Sequence, residues 1–387
     1  MKCSRLRKII LICLLCFLCL FSAGCWNRKE IDTLAFVIAV GIDSSQKGYL
    51  VSTQVANTAA LTKQGVMNAP NFFVYSNAGK TIFDAVRTST HTSPNKLFWS
   101  HTKMLVISEE LARKGLNPVF DFFARDAEER RNFLLAITPQ RAKEIINADV
   151  KTTSIPAITL SELLEAYKFS SQTAYINLND YLREQHSTIS SLLPEVRLVK
   201  DQGAKVGYKV YRAAVIKKNK FISYLTRKET RGALWVLGKV KSGIVETKCL
   251  DKSKNSKERI AFEIYKSDAK VKVKKKSGQY MINVDIKEQG NIAEASCIKN
   301  EINPKKIKKM EKMKAEAIKK EVESSLKKAQ ELNTDIFGFG ELIHRSYPKD
   351  WKKIEKQWDE IFPTLKVKIK VETKITSDAL IERKPQK

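Results

Sequence analysis

The residue with the clearest chemistry ahead of it is Cys25. Ser22-Ala23-Gly24 places three small residues directly before this thiol, and Leu20 and Phe21 keep the preceding positions apolar. Small residues before a cysteine form a lipobox, where the thiol is diacylated, the chain is cut before the cysteine, and the new amino group is acylated. The expected product is an N-palmitoyl, S-diacylglycerol cysteine at position 25, although Ser22 stands where leucine is usual. One acyl chain binds a membrane marginally and two bind it stably, so this modification would keep the protein on its membrane. An uncleaved N-terminal anchor with Cys25 as a bystander is the alternative.

The other reactive side chains point away from catalysis. Cys3, Cys13, Cys16 and Cys19 precede the cleavage point, which leaves Cys25, Cys249 and Cys297 in the mature chain and excludes a disulfide scaffold. Cys249 and Cys297 could pair outside the cell, which in the chain-entropy account is worth about 4 kcal/mol. Two separate buried thiols are the favoured reading. His91, His101, His186 and His344 lie far apart, without the HExxH spacing of a zinc site. There is no GxSxG elbow, and Gly338-Phe339-Gly340 lacks the third glycine and leading strand of a nucleotide loop. No catalytic residue, metal site or cofactor is expected.

The segment before Cys25 sets the compartment. Lys2, Arg5, Arg7 and Lys8 precede an apolar run from Ile9 to Phe21. That run is shorter than the roughly 20 residues of a bilayer span and suits a signal-peptide core. Residues 1–24 are therefore read as a signal peptide, with the remainder outside the cytoplasm. The formal charge is +28, and residues 201–387 hold 46 Lys+Arg against 25 Asp+Glu, a net +21. Such asymmetry favours an anionic partner surface. Export and the lack of any zinc-knuckle or RNP module argue against nucleic acid.

Hydrophobic patterning after Cys25 predicts an α+β protein of three domains, with mixed or antiparallel sheets and packed helices. The first domain covers 25–205. It has strands at Leu34 to Asp43, Tyr49 to Thr58, Leu97 to Ile107 and Asn132 to Thr138, a loop at Lys63 to Pro70, and helices between and after them. Ser108 is a candidate helix cap before Glu109 and Glu110. A small middle domain, 206–250, holds a hairpin at Tyr208 to Lys217 and Phe221 to Leu225. Thr226-Arg227-Lys228-Glu229 then has capping-box spacing. The C-terminal domain, 251–380, starts with a charged linker at 252–257. Strands follow at Ile260 to Tyr265, Ala269 to Val273, Tyr280 to Ile286 and Leu365 to Ile375. Between them a long basic helix runs from Pro304 to about Leu332, with Ile307, Met310, Ile318, Val322, Leu326 and Ala329 near one stripe.

Several stretches together resemble the Ger(x)C family, the lipoprotein C subunits of spore nutrient-germinant receptors. They include Gly24-Cys25-Trp26-Asn27, Gly41-Ile42-Asp43, Ser100-His101-Thr102-Lys103 and Glu109-Glu110-Leu111-Ala112-Arg113-Lys114-Gly115-Leu116. Near the C-terminus Asp335-Ile336-Phe337-Gly338-Phe339-Gly340 leads into Tyr347-Pro348-Lys349, Trp351, Trp358 and Phe362-Pro363. The resemblance implies a three-domain lipoprotein on the outer side of the spore inner membrane. It implies a structural or coupling role beside a multi-spanning A subunit and a transporter-like B subunit, in a complex that nutrients trigger. The competing class is a stand-alone solute-binding lipoprotein or a wall-associated hydrolase.

Two surface features bear on partners. Leu365, Val367, Ile369 and Val371 alternate with Lys366, Lys368 and Lys370, and residues 271–276 behave similarly, so one sheet face should carry a lysine carpet. It reads as a solvated face that discourages edge pairing, or as a surface for anionic lipid or cortex polymer. Phe337 and Phe339, separated by glycine at a helix start, read as core or as an exposed docking knob.

Overall fold

The apolar run Leu34–Ser45 forms β1, in which Val37, Ala39, Val40 and Ile42 are fully buried. A strand covered on both faces needs apolar residues at consecutive positions instead of alternate ones. The computed structural model describes residues 7, 10, 33–61, 70–125, 130–150, 155–185, 187–200, 206–250, 258–295, 297–298 and 303–376. Around β1 it arranges β2 (Gly48–Ala56), β3 (Phe72–Gly79), β4 (Lys96–Phe98), β5 (Met104–Ser108), β6 (Leu134–Thr138), β7 (Ser191–Lys200), β8 (Val206–Lys217) and β9 (Lys220–Leu225). The spatial order is β3-β2-β1-β5-β6-β7-β8-β9, with β4 beside β1. Pairing is parallel among β1, β5, β6 and β7 and antiparallel towards both ends.

Helices cover both faces. On one side α1 (Ile82–Thr88), α2 (Glu109–Lys114) and α3 (Asn117–Arg125) bury Ile82, Leu111, Phe120 and Phe123 with Leu105 and Ile107 of β5. On the other, α4 (Ala142–Ile146) and α5 (Pro156–Glu165) bury Ile145, Leu160 and Leu164 with Met104 and Val106. A further helix, α6 (Leu178–Gln185), joins the first side through Tyr181.

The motif Gly41-Ile42-Asp43 makes one of these attachments. A Cβ on Gly41 would stand 3.0 Å from the Ala142 carbonyl carbon and oxygen, so glycine lets α4 approach β1. The buried Asp43 carboxylate then accepts the N–H groups of Ala142 at 2.7 Å and Lys143 at 3.0 Å, satisfying donors at the helix start.

Three local expectations change. The strand expected over Leu97 to Ile107 is broken by a 3-10 turn at Trp99–His101, where buried Trp99 meets Phe122 edge-on and the Thr102 hydroxyl donates to its carbonyl at 2.7 Å. Strands β3 and β7 fall outside the predicted strands, because polar residues interrupt their apolar pattern. In β7 the fully buried Glu195 is held by Arg197 and Arg212. Ser108 stands at the N-cap of α2, but its hydroxyl makes no cap hydrogen bond.

The second sheet has the order β10 (Gly243–Lys248), β11 (Arg259–Lys276), β12 (Gln279–Glu294), β13 (Lys366–Ile375). Its strands are antiparallel except for the parallel pair β12–β13. The two strands expected at Ile260 to Tyr265 and Ala269 to Val273 are one, irregular between Ile264 and Lys266. Thr226 opens α7 (Arg227–Val236) through the predicted capping box. The long helix α8 (Pro304–Glu331) lies across the inner face of this sheet, burying Met310, Ile318, Val322 and Ala329. Gly232 leaves room for the Glu321 carbonyl where α7 crosses α8, and Glu321 pairs with Arg231 and accepts from Trp235 Nε1 at 3.0 Å.

The segment 206–250 is divided between these two bodies. β8 and β9 complete the first sheet, α7 packs on α8, and β10 begins the second sheet.

Candidate functional site

Residues 335–340 form the joint between the two bodies. The buried Asp335 carboxylate accepts four backbone N–H groups, from Phe337 (3.1 Å), Gly338 (2.9 Å), Phe339 (3.1 Å) and Gly340 (2.7 Å). Gly338 has φ +74°, a left-handed conformation that suits glycine. A side chain on Gly340 would meet Thr188, Trp358 and Trp351 at 3.0 Å or less. Burial pushes the Asp335 carboxyl up from its ordinary value, and the four donors oppose that shift.

Phe337 and Phe339 are 7% and 1% exposed, and their rings stack with centroids 5.0 Å apart. Neither is a docking knob: the Asp335 cage turns both rings into the core around Trp351, Trp358 and Phe362. The Asp335 carbonyl accepts from Ser190 N at 2.8 Å, and Lys217 donates to the Asn333 carbonyl at 2.5 Å and pairs with Asp359 at 3.0 Å. The first sheet thus contacts the second body through its β8–β9 end.

A groove opens at the far end of β1 and β2. Its apolar part has a volume of about 710 Å³ and is lined by Tyr49, Ile82, Phe83, Pro118 and Phe122, with Phe83 56% exposed. An adjoining hollow of about 510 Å³ shares Tyr49, Lys80 and Pro118 and adds Lys114, Lys218 and Lys220. It suits an elongated group with one apolar and one anionic end. Its walls come from four separated segments, so no local pattern in the sequence announces it.

The other residues singled out from the sequence fall in separate places. Cys25 and His186 lie outside the described residues. His91 is exposed at the end of a 3-10 turn, His101 packs against Phe36 and Phe98, and His344 stacks on Trp351. Cys249 and Cys297 are joined, with Cα atoms 6.2 Å apart, in place of the two separate thiols expected. The bond ties the end of β10 to the segment after β12. Glu258 lies close to both sulfurs, and no other group of three metal-ligating side chains occurs among the described residues.

The second sheet holds a buried ion pair that sequence patterning alone misses. Lys314 Nζ stands 2.7 Å from Glu288, and both side chains are fully buried. Lys314 occupies the buried stripe of α8 between Met310 and Ile318, at regular four-residue spacing. That spacing was the available signal. Burial pushes the Glu288 carboxyl up and the Lys314 amine down, and each charge opposes the other's shift.

The outer face of the same sheet carries the lysines. Lys270, Lys272 and Lys274 of β11 stand opposite Asp285, Asn283 and Met281 of β12, which in turn stand opposite Lys370, Lys368 and Lys366 of β13. All six lysines are exposed.

Comparison with known proteins gives a consistent match. Residues 27–198 match the Spore germination protein N-terminal domain, and residues 212–378 match the family Spore germination B3/GerAC like, C-terminal. The chain belongs to the GerAC-like spore germination family. The break between the two matched regions falls in the β7–β8 hairpin, so the second region begins inside the first sheet and takes in part of β8 and all of β9. The chain is 27% identical to spore germination protein KC of Bacillus subtilis (strain 168), covering 97% of each chain. It is 26% identical to spore germination protein A3 of the same organism, covering 91% of this chain and 93% of that one. The crystal structure of the GerBC protein superposes with a TM-score of 0.57 over 90% of this chain and 100% of that chain, at 21% identity. That likeness supports the α+β fold. Among the described residues no helix is long and apolar enough to cross a membrane.

Proposed function

We propose that this chain is the C subunit of a spore nutrient-germinant receptor, held on the outer face of its membrane by lipid on Cys25. It is a structural or coupling component beside the A and B membrane subunits, and not an enzyme. The observation that carries this reading is the match of both family regions, in order, over residues 27–198 and 212–378. The small-residue run before Cys25 supports the anchor. Deleting the chain from its spore should abolish the response to the receptor's nutrients, and the A and B subunits should co-purify with it from spore membranes. Unchanged germination, or no co-purification, would reject the assignment. Palmitate labelling should be lost in Cys25→Ala.

The groove beside Phe83 favours a second reading, in which the chain itself binds a solute. Thermal-shift measurements of the mature chain against nutrient mixtures separate the two. A saturable response at micromolar nutrient, lost in Phe83→Ala, would move ligand recognition to this chain.

A further inference from the structure

We propose that the outer face of the second sheet is a membrane-apposed surface that binds anionic phospholipid headgroups, with Ile244 and Tyr265 entering the interface at its β10 side. The proposal rests on the reading that the chain is exported and anchored through Cys25.

Strand register alone builds the surface. Neighbouring strands are about 4.8 Å apart and alternate residues about 6.7 Å apart, so the lysine rows of β11 and β13 run side by side about 10 Å apart. Lys266, Lys276, Lys287 and Lys374 extend them, giving ten lysines on this stretch of the face. Asp268, Asp285 and Glu372 lie among them, a net +7 over this stretch, and at the β10 end the same face adds Lys248 and Arg259 against Glu246, Glu263 and Glu294, for a net +6 over the whole face. Among the described residues, Lys370 is the one of the ten with an ion-pair partner, Glu372 at 2.6 Å.

Protection of a sheet edge explains lysines on β13, which is an edge strand. It also covers Lys270, Lys272 and Lys274, because β10 pairs with β11 only over Arg259–Ile264, but it does not explain Lys287 on the central strand β12, paired with β11 on one side and β13 on the other, or the exposed Ile244 and Tyr265. Neighbouring charges on this face lie within about 8 Å, the screening length at physiological salt, so their repulsion persists until an anionic partner offsets it.

Charge selects the occupant. The chain's own segment 377–387 contains Asp378 and Glu382 against Arg383, Lys384 and Lys387, a net +1, and cannot neutralise the face. A second copy would bring the same +6. An anionic bilayer fits, and the apolar groups agree with it. Ile244 and Tyr265 are 50% and 54% exposed. Both point to the lysine side, since Val245 of β10 and Ile264 of β11 point inward. Tyrosine beside lysines suits the headgroup level of a membrane, where an apolar ring and a polar tip are both accommodated. Eight residues lead from Cys25 to Thr33, a tether of at most about 28 Å, so the lipid keeps the body beside the bilayer and modest contacts suffice to orient it.

The test uses the mature chain, residues 25–387 with Cys25→Ser, sedimented with vesicles of phosphatidylcholine or of equal parts phosphatidylcholine and phosphatidylglycerol. Binding to the anionic vesicles alone is expected, falling as salt rises. Each lysine near an anionic surface strengthens binding by about fivefold. Lys270→Gln/Lys272→Gln/Lys368→Gln/Lys370→Gln should therefore lower it by at least about tenfold. The charge-matched control Lys308→Gln/Lys312→Gln/Lys320→Gln/Lys327→Gln, on exposed positions of α8, should change it by about twofold or less. Equal losses in the two variants, equal binding to neutral vesicles, or equally tight binding to soluble polyglutamate would each overturn the proposal. If the fourfold variant melts early, Lys272→Gln/Lys368→Gln is read in its place, with about a fivefold or greater loss expected. Palmitate labelling of the full chain in cells keeps the two readings apart. Labelled Cys25 without anionic binding rejects the face and leaves the anchor, and the reverse result rejects the anchor and leaves the face.

Discussion

The two sheets are built from similar apolar residues and end up in opposite situations. In the nine-stranded sheet β5 is buried on both faces, with Leu105 and Ile107 under one helical layer and Met104 and Val106 under the other. In the four-stranded sheet a helical layer covers one face, and the other is left to lysine. The difference teaches where each body can meet a partner. The first offers its ends and helix surfaces, including the groove at Tyr49 and Phe83, whereas the second offers a whole sheet face.

The comparison can be broken most directly at the joint. Phe339→Ala should cost about 3 to 5 kcal/mol, the range for deleting a fully buried phenylalanine, measured as a drop in melting temperature of the mature chain. An unchanged melting temperature would mean that residues 335–340 are not shared core.

The covered face of the second sheet is tested by its buried pair. Lys314→Met should cost about 3 kcal/mol or more, because Glu288 is left buried without its partner, and Lys314→Met/Glu288→Leu should recover most of that loss. The folded-state pKa of Glu288 is raised, so its protonated form is the one favoured by burial. Stability from such a group is present at acid pH and is lost as pH rises through the folded value. The deficit of Lys314→Met in denaturant titrations should therefore grow from acid to neutral pH.

For the first sheet, Asp43→Ala should cost about 1 to 2 kcal/mol by leaving the Ala142 and Lys143 N–H groups without their acceptor. Hydrogen exchange should show faster opening of α4 in particular. The smallest effect belongs to the bare face. Lys272→Val should shift stability by about 0.5 kcal/mol or less. A larger loss would mean that the lysines contribute to the fold as well as to its surface.

Much of the fold is legible in the order of residues. Consecutive apolar residues mark β1, β5 and β6, alternation marks β13, and Thr226 with Glu229 marks the start of α7. The features that escape such a reading share a cause. β7 contains Pro194, Glu195 and Arg197, and it is a strand because Arg197 and Arg212 neutralise Glu195 in the interior. A lysine on an apolar stripe, as at Lys314, looks like an interruption until Glu288 arrives from 26 residues away.

By itself the sequence determined the small-residue run before Cys25, the alternation that makes a lysine face, and the motif order that places the chain among its relatives, because each is a matter of neighbouring residues. Only the tertiary structure decided that Phe337 and Phe339 turn inward, that Cys249 meets Cys297, and that the lysines of β11 and β13 share one surface across β12. Those outcomes depend on partners distant in the chain, whose approach is set by packing and strand register and leaves no local trace.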